Sequence, residues 1–313
     1  MIDVSIVIVC MNNLNNLYPC LESIKTNTKE VTYETIVVCY LFSKDNLRKL
    51  KKDFPHVKII KSDEIRGFSE NNNLALRQAK GRHCFVLNDD TYFDTPVITE
   101  LVNCLDKLPK DVIVVSPTVY NTNGSIQHCG RPKYNLFTII LYNLGLLRWY
   151  ENHSKFTNKK GVFQTYNLFG AAFLIRTKEF ESLGFFDESF FFCPEDIALS
   201  TKINKMGYRC FVKADSSLMH VGGGTWSKTI QATKPATEKG NLIFFGSGCF
   251  YKKMLYILIS SSIHALRFLY WLIIKNDESS KRIVMMNANR NAIYAVFSNK
   301  TPKELFVKFF NKM

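Results

Sequence analysis

Asn88-Asp89-Asp90 sets two carboxylates beside an amide directly after the apolar run Cys84–Leu87. Such a string serves either as a turn, where Asn and Asp bond their own backbone, or as a seat for Mg²⁺ or Mn²⁺ shared with a diphosphate, since these ions take hard oxygen ligands. Glu195-Asp196 follows Phe190, Phe191 and Phe192. A carboxylate pair at a helix start is favourable charge against the helix dipole. Aromatic neighbours can also desolvate a carboxylate and raise its basicity, which a general base requires. His220 ends the alternating run Ser217–His220 and precedes Val221-Gly222-Gly223-Gly224-Thr225. A histidine at a strand end is either structural or a metal ligand, and the glycines let a loop approach or close over a phosphate.

The elements that must position these groups are read from hydrophobic period. Val4–Val9, Thr35–Val38, Val57–Ile60, Cys84–Leu87 and Val112–Val115 are nearly continuous apolar runs, as in strands buried on both faces of a parallel sheet. Between them, Leu14, Leu17, Leu21 and Ile24 repeat at helical spacing, Leu74, Leu76 and Ala79 follow Ser69 as an N-cap, and a third helix opens at Thr95-Pro96. Strand and helix in alternation imply right-handed βαβ units and a Rossmann-like α/β sheet. Ligands in such sheets sit beyond the carboxyl ends of the strands. That rule singles out Cys10–Asn13, Cys39–Asp45, Lys61–Phe68 and Asn88–Thr91, and it favours metal binding over a mere turn at Asp90. Past residue 116 the alternation breaks into an aromatic-rich stretch, then a strand over Tyr166–Ile175 and helices near Lys178–Leu183 and Glu195–Met206. The chain divides into a nucleotide-binding half over 1–115, an acceptor half over 116–225 and a basic helical region over 226–313.

Composition narrows the class. A chain of 313 residues with 46% hydrophobic content can bury a real core. The formal charge of +14 is concentrated at one end, because residues 226–313 hold fourteen Lys/Arg against four Asp/Glu. Nine cysteines form no CxxC pair, which favours reduced, structural thiols in a cytosolic compartment and argues against zinc. The N-terminal MIDVSIVIVC carries Asp3 and no basic leader, so it reads as a first strand, not a signal peptide.

In order along residues 1–225, Val4–Asn13, Arg66-Gly67-Phe68-Ser69 with Asn72-Asn73, Leu87–Thr91, Gly184–Glu188, Glu195-Asp196 and His220 resemble glycosyltransferase family 2 within the GT-A fold, nearest its rhamnosyltransferase-like branch. The resemblance implies that Asn88 and Asp90 hold the outer positions of a DxD metal motif, that His220 completes the metal site and that Asp196 is the general base. It implies donor contacts at Asn12, Asn13, Arg66, Asn72 and Asp89, and acceptor contacts at Asp187, Glu188 and Glu195. Two departures stand out: Cys39 replaces the Asp that contacts the nucleotide base, and Ala198 replaces a later Asp of the acidic motif. The implied reaction is a single displacement that inverts the anomeric centre, with the cation on the leaving diphosphate and Asp196 taking the acceptor's proton. It requires Asp90 and Asp196 to converge on one cleft, and an Asp196 buried against a structural arginine would count against it.

Met254–Ile274 is long enough to cross a bilayer, but His264 and Arg267 disfavour a span. With Lys252, Lys253 and Lys275 at its ends and Phe268, Tyr270, Trp271 and Leu272 on one face, it fits a helix lying on an anionic membrane at the cytoplasmic side. A lipid-linked, polyprenyl-diphosphate glycan is the acceptor class this suits. No zinc pattern, helix-turn-helix or RNA-recognition motif points to nucleic acid. The competing readings are a non-catalytic membrane scaffold with a degenerate nucleotide-sugar fold, and a nucleotidyltransferase. The latter would need a glycine-rich basic loop where Cys10–Asn13 stands.

Overall fold

The computed structural model describes residues 2–222, 229–274 and 279–312. They form two compact units, one of residues up to Lys133 with Trp149–Asp187 and Asp196–Gly222, the other of Tyr134–Arg148, Glu188–Glu195 and the described chain after Gly222.

The first unit is built on a ten-stranded sheet. Strands β1 (Val4–Met11), β2 (Tyr33–Tyr40), β3 (Lys58–Ser62) and β4 (His83–Asn88) are parallel, in the order β3-β2-β1-β4. Each expected run lies within or against a strand, which extends past it by one to five residues at one or both ends. Both faces are covered. Ile6, Ile8, Val37 and Phe85 pack on one side with the helices Leu14–Asn27 and Val97–Lys107, while Val7, Val38 and Val86 pack on the other with Phe173, Phe180 and Phe186. Burial of alternate residues on opposite faces is why the runs show no polar alternation.

Beyond β4 the sheet is mixed. The short β5 (Thr91–Tyr92) sits at the far edge, β6 (Val112–Tyr120) has β7 (Ile126–His128) beside it, and β8 (Val162–Thr165) and β9 (Ala172–Arg176) follow. The long β10 (Arg209–His220) runs parallel to β6, with β8 and β5 antiparallel along it, and β9 lies reversed between β4 and β6. Of the expected strand over Tyr166–Ile175 only Ala172–Ile175 is strand, in β9, and Tyr166–Ala171 is the link from β8. The chain crosses from the β10 edge to the sheet centre through Asn167–Gly170, held by the Asn167 amide on the Pro132 carbonyl and by Ser200 Oγ accepting from Leu168 N–H at 3.0 Å.

Helix starts follow local chemistry with two shifts, the lesser at Val97–Lys107, where Pro96 is the N-cap instead of the first helical residue. The helix Phe68–Leu76 begins at Gly67, not Ser69, because Glu70 reaches back to the Gly67 N–H at 3.1 Å while Ser69 is buried in the first turn. The acidic segment opens the helix Glu195–Lys205. In the second unit, Leu136–Asn143 packs with the helices Ile230–Phe245, Phe250–Ile273 and Ser279–Phe297, and Pro302–Phe310 packs on Ile230–Phe245. Gly223-Gly224-Thr225, the expected phosphate-closing glycines, and Lys275 lie outside the described residues. No two of the nine cysteines are bridged.

Candidate active site

The acidic string lies at the carboxyl end of β4. There the chain turns back as β5, which pairs antiparallel with the end of β10, His220 opposite Thr91. This register puts the Asp90 Oδ1 3.1 Å from His220 Nε2. The Asn88 amide nitrogen is 3.3 Å from the same Nε2. The other Asp90 oxygen accepts from the Gly222 N–H at 2.9 Å. Both side chains are about nine-tenths covered, 11% and 10% exposed.

Protonation of the histidine follows from its far side. Nδ1 is 2.7 Å from Gln127 Oε1, and that amide is oriented by its own nitrogen donating to Asn121 Oδ1 at 2.9 Å. Nδ1 therefore carries a hydrogen. Nε2 then either bears a second proton or turns a lone pair on the Asp90 oxygen, so the space between them calls for positive charge in either case. Burial pushes the Asp90 carboxyl up, but the His220 bond and charge and the Gly222 N–H more than offset it, leaving Asp90 below the usual carboxylate range. Asp89 behaves oppositely. Burial, only partly countered by the Cys10 thiol and reinforced by the charge of Asp90, raises it to about 7. Burial and Asp89 together push the Cys10 thiol far up, so it stays protonated.

A carboxylate, an imidazole nitrogen and an amide form a donor set that suits Mg²⁺ or Mn²⁺. Among the described residues no group of three or more His, Cys, Asp and Glu could enclose an ion alone. Such ions are usually held by one or two carboxylates with substrate phosphates and water supplying the rest, so the residues present fit a metal shared with a diphosphate.

Asp196 belongs to the same unit and is reached through a continuous line of contacts. The Phe169 ring meets His220 edge-on at 6.0 Å, and the Arg131 guanidinium lies over Phe169 at 5.6 Å. Arg131 Nη1 donates to Asp196 Oδ2 at 2.6 Å. A second line runs through the backbone: Asn88 N–H donates to Ala171 O, and the adjacent Gly170 N–H donates to Asp196 Oδ2 at 3.3 Å. A Cβ on Gly170 would stand 3.4 Å from that of Asp196, in ordinary contact. The Asp196 Oδ1 accepts from Ile197 N–H at 2.7 Å. These contacts link Asp196 to His220 within one unit, but Asp196 is buried against Arg131, the arrangement that counts against it as a free base.

The remaining expected residues divide. Asn12 is exposed, with φ +49°, and its Oδ1 accepts from Ser43 N–H and the Asn46 amide, pinning the β1 loop to the start of the helix Lys44–Asp53. Asn13 precedes the helix Leu14–Asn27, and its carbonyl accepts from Cys10 Sγ and Leu17 N–H. Arg66 is held by Ser62 and Glu64 at 3.1 and 2.7 Å, and its N–H donates to Tyr40 Oη. Asn72 is buried, and its amide bonds the Phe68 carbonyl one turn back, inside the fold instead of toward a ligand. Its neighbour Asn73 carries more, gripping both the N–H and the carbonyl of Phe186 and so fixing the turn before the exposed Asp187. Glu188 and Glu195 belong to the second unit. Cys39 faces the core opposite Cys10, and burial pushes its thiol up to about 12, so it offers nothing to a nucleotide base.

Gln127, Arg131, Phe169 and Gly170 carry no period or motif by which they could be found. The only signals are a polar Gln127-His128 and Gly130-Arg131 inside the irregular stretch, and Phe169-Gly170 interrupting an apolar run.

Solved structures share the architecture. GalNAc-T7 with UDP, GalNAc and Mn²⁺ superposes with a TM-score of 0.59 at 15% identity, covering 96% of this chain and 56% of that one. The mannosyltransferase PcManGT from Pyrobaculum calidifontis, in complex with GDP-Man and Mn²⁺, gives 0.54 at 14% identity, covering 93% and 87%. The likeness shows the GT-A fold. By sequence, the O-antigen biosynthesis protein RfbC of Myxococcus xanthus is 25% identical over 231 residues, which is 69% of this chain but only 17% of the relative. The model of Glycosyl transferase family 2 matches residues 5–184, more than half of the chain, and the chain belongs to that family.

Proposed function

We propose that the chain is an inverting glycosyltransferase that moves a sugar from a nucleoside-diphosphate donor to a hydroxyl of a lipid-linked glycan, in cell-surface polysaccharide assembly at the cytoplasmic face of a membrane. The observation that carries the reaction is the Asp90–His220 pair, which needs a positive charge between its members and is joined through Phe169 and Arg131 to Asp196. Family membership supplies the reaction class. The likeness to an O-antigen biosynthesis protein and the basic end of the chain support a polysaccharide acceptor at a membrane.

Asp90, His220 and, with its amide turned to present oxygen, Asn88 would hold Mg²⁺ or Mn²⁺. When bound, the ion would stabilise charge that develops on the departing diphosphate. Gln127 keeps His220 in the tautomer that presents Nε2. Asp196 accepts three hydrogen bonds, from Arg131, Gly170 and Ile197. A carboxylate has about four acceptor sites, so one remains for the acceptor hydroxyl. That hydroxyl becomes acidic as its oxygen bonds the anomeric carbon, and Asp196 takes the proton then. Attack from the face opposite the leaving group inverts the centre without a covalent sugar-enzyme intermediate.

The Arg131 pair favours one second reading, in which Asp196 acts by positioning Arg131 against the diphosphate and the proton leaves to another group. Nucleoside diphosphate release from candidate donors with Mn²⁺ separates the two. As the base, Asp196→Asn loses about 10²- to 10⁴-fold in kcat with KM for the donor little changed. Full turnover by Asp196→Asn rules that role out, and a larger loss in Arg131→Gln than in Asp196→Asn would favour the second reading.

A further inference from the structure

The helix Phe250–Ile273 is inside out for a protein surrounded by water. Its inward stripe is polar: Tyr256, Ser260 and His264, each four residues from the last, are buried. Tyr256 Oη and Ser260 Oγ both donate to Glu238 Oε2 at 2.7 Å, and His264 Nε2 lies 3.3 Å from Glu238 Oε1. The other His264 nitrogen is 2.9 Å from Asn289 Oδ1, which also accepts from Lys234 Nζ. The outward face is apolar, with Met254, Leu255, Leu258, Leu266, Leu269 and Ile273 between 46% and 77% exposed. A helix on an aqueous surface shows the reverse polarity. The arrangement suits hydrocarbon outside, where polar side chains turn toward their helical neighbours.

Leu136–Asn143 shares the apolar outward face in the same unit, with an inward side that is apolar as well. Leu136 and Ile139 pack against Leu242, Tyr256 and Val296, while Phe137, Ile140 and Leu144, at three- and four-residue spacing, are exposed. Nothing in the sequence pattern tied this stretch, 70 residues upstream of the basic end or more, to a membrane.

We propose that this helical unit is monotopic, with the outward face of Phe250–Ile273 and the helix Leu136–Asn143 immersed together in the interface of an anionic bilayer. Lipid fits better than a second copy because the charge around the face is mostly positive. Lys252 and Lys253 are exposed at one end of the helix, Arg290 is exposed on the helix Ser279–Phe297 packed along it, and the chain from residue 226 is strongly basic. Phe250 and Tyr251 at one end and Tyr270 at the other are exposed aromatics of the kind that settle at headgroup depth. At about 1.5 Å per residue the helix is long enough to cross, and it is the one among the described residues that is. A crossing would carry its packed neighbours, with Lys239 and Arg290, into hydrocarbon, so the helix lies flat.

The inference deepens the lipid-linked reading and is tested without sugar transfer. The full chain is sedimented with vesicles of phosphatidylcholine containing about one third phosphatidylglycerol, alongside vesicles of phosphatidylcholine alone. Wild type pellets with the anionic vesicles, and less so at high salt. Leu258→Glu with Leu266→Glu lowers partitioning about tenfold or more, and Phe137→Glu lowers it several-fold. Unchanged circular dichroism and retained nucleotide binding show that these variants fold. The inference falls if wild type stays in the supernatant, or if the folded variants pellet as wild type does. It also falls if wild type is a dimer that the Leu258→Glu, Leu266→Glu variant converts to monomer without vesicle binding, because a second copy then covers the face. Asp90→Asn pellets as wild type does, so an Asp90→Asn variant that keeps full transfer counts against the catalytic reading alone.

Discussion

Both ends of the large sheet hold a histidine against an aspartate at almost the same distance, and the two pairs are built for opposite purposes. At the amino end His83 Nε2 is 3.0 Å from Asp106 Oδ1, and Arg82 completes the group, donating to Asp106 at 2.6 Å and to Asp3 at 2.9 Å. Burial and the charge of Arg82 outweigh Asp106 and leave His83 below its usual range, a neutral ring in a network whose cation the chain supplies. At the carboxyl end His220 Nε2 is 3.1 Å from Asp90, with Asp89 adjacent, and among the described residues no Lys or Arg pairs with either carboxylate. A network that carries its own cation holds strands together. We propose that the other, where a carboxylate faces an imidazole nitrogen with no such cation beside it, is completed from outside.

The comparison breaks most sharply at Asp90. Asp90→Asn should reduce turnover about 10³-fold, the scale of removing a group that stabilises transition-state charge. It should also abolish any rise in melting temperature caused by Mn²⁺, since only binding to the folded state produces such a rise. Arg82→Ala, at the other end, should leave that rise intact. An Mn²⁺ response that survives Asp90→Asn and vanishes in Arg82→Ala would reverse the assignment. A smaller effect sharpens it: Gln127→Leu removes the acceptor that sets the His220 tautomer, and should weaken Mn²⁺ affinity about 10- to 100-fold, as loss of an orienting partner does. Titration of activity against Mn²⁺ reads this directly, and an unchanged half-saturating concentration would deny Gln127 that role.

How much of this was legible depended on whether the signal was periodic. Val4–Met11, Tyr33–Tyr40 and His83–Asn88 announce themselves because burial on both faces demands unbroken apolar runs, and the carboxyl-end rule then leads to Asp90. His220 was legible as a strand end, but its approach to Asp90 depends on a two-residue strand, Thr91–Tyr92, too short to leave a pattern. Arg131 reaches Asp196 from a loop 65 positions away, a distance no local spacing encodes. Asn72 and Asn73 show the opposite limit. Adjacent and identical in type, one is spent on its own helix and the other grips Phe186, a difference set by which face of the helix each occupies.

The smallest expected effect lies in the acid limb of stability. Hydrogen bonds from Thr32 and Arg82 hold Asp3 well below the usual carboxylate range, and Asp106 is lowered too, the bonds from Arg82 and His83 outweighing its burial. A carboxylate with a depressed folded pKa contributes stability that is complete above its unfolded value, near 3.9, and that disappears as pH falls through the folded value. Arg82→Ala should therefore cost about 1 kcal/mol at neutral pH, kept small because these side chains are about a third exposed and screened by solvent. Below about pH 4 the cost should begin to shrink, and it should vanish only as pH falls through the depressed folded values at which the wild-type carboxylates take up protons. Urea unfolding of the two proteins at neutral and acid pH, without metal, measures the difference. A gap that stays the same on acidification would mean that Arg82 acts by packing its stem, and that the amino-end network is not electrostatic in the sense that sets it against the Asp90 site.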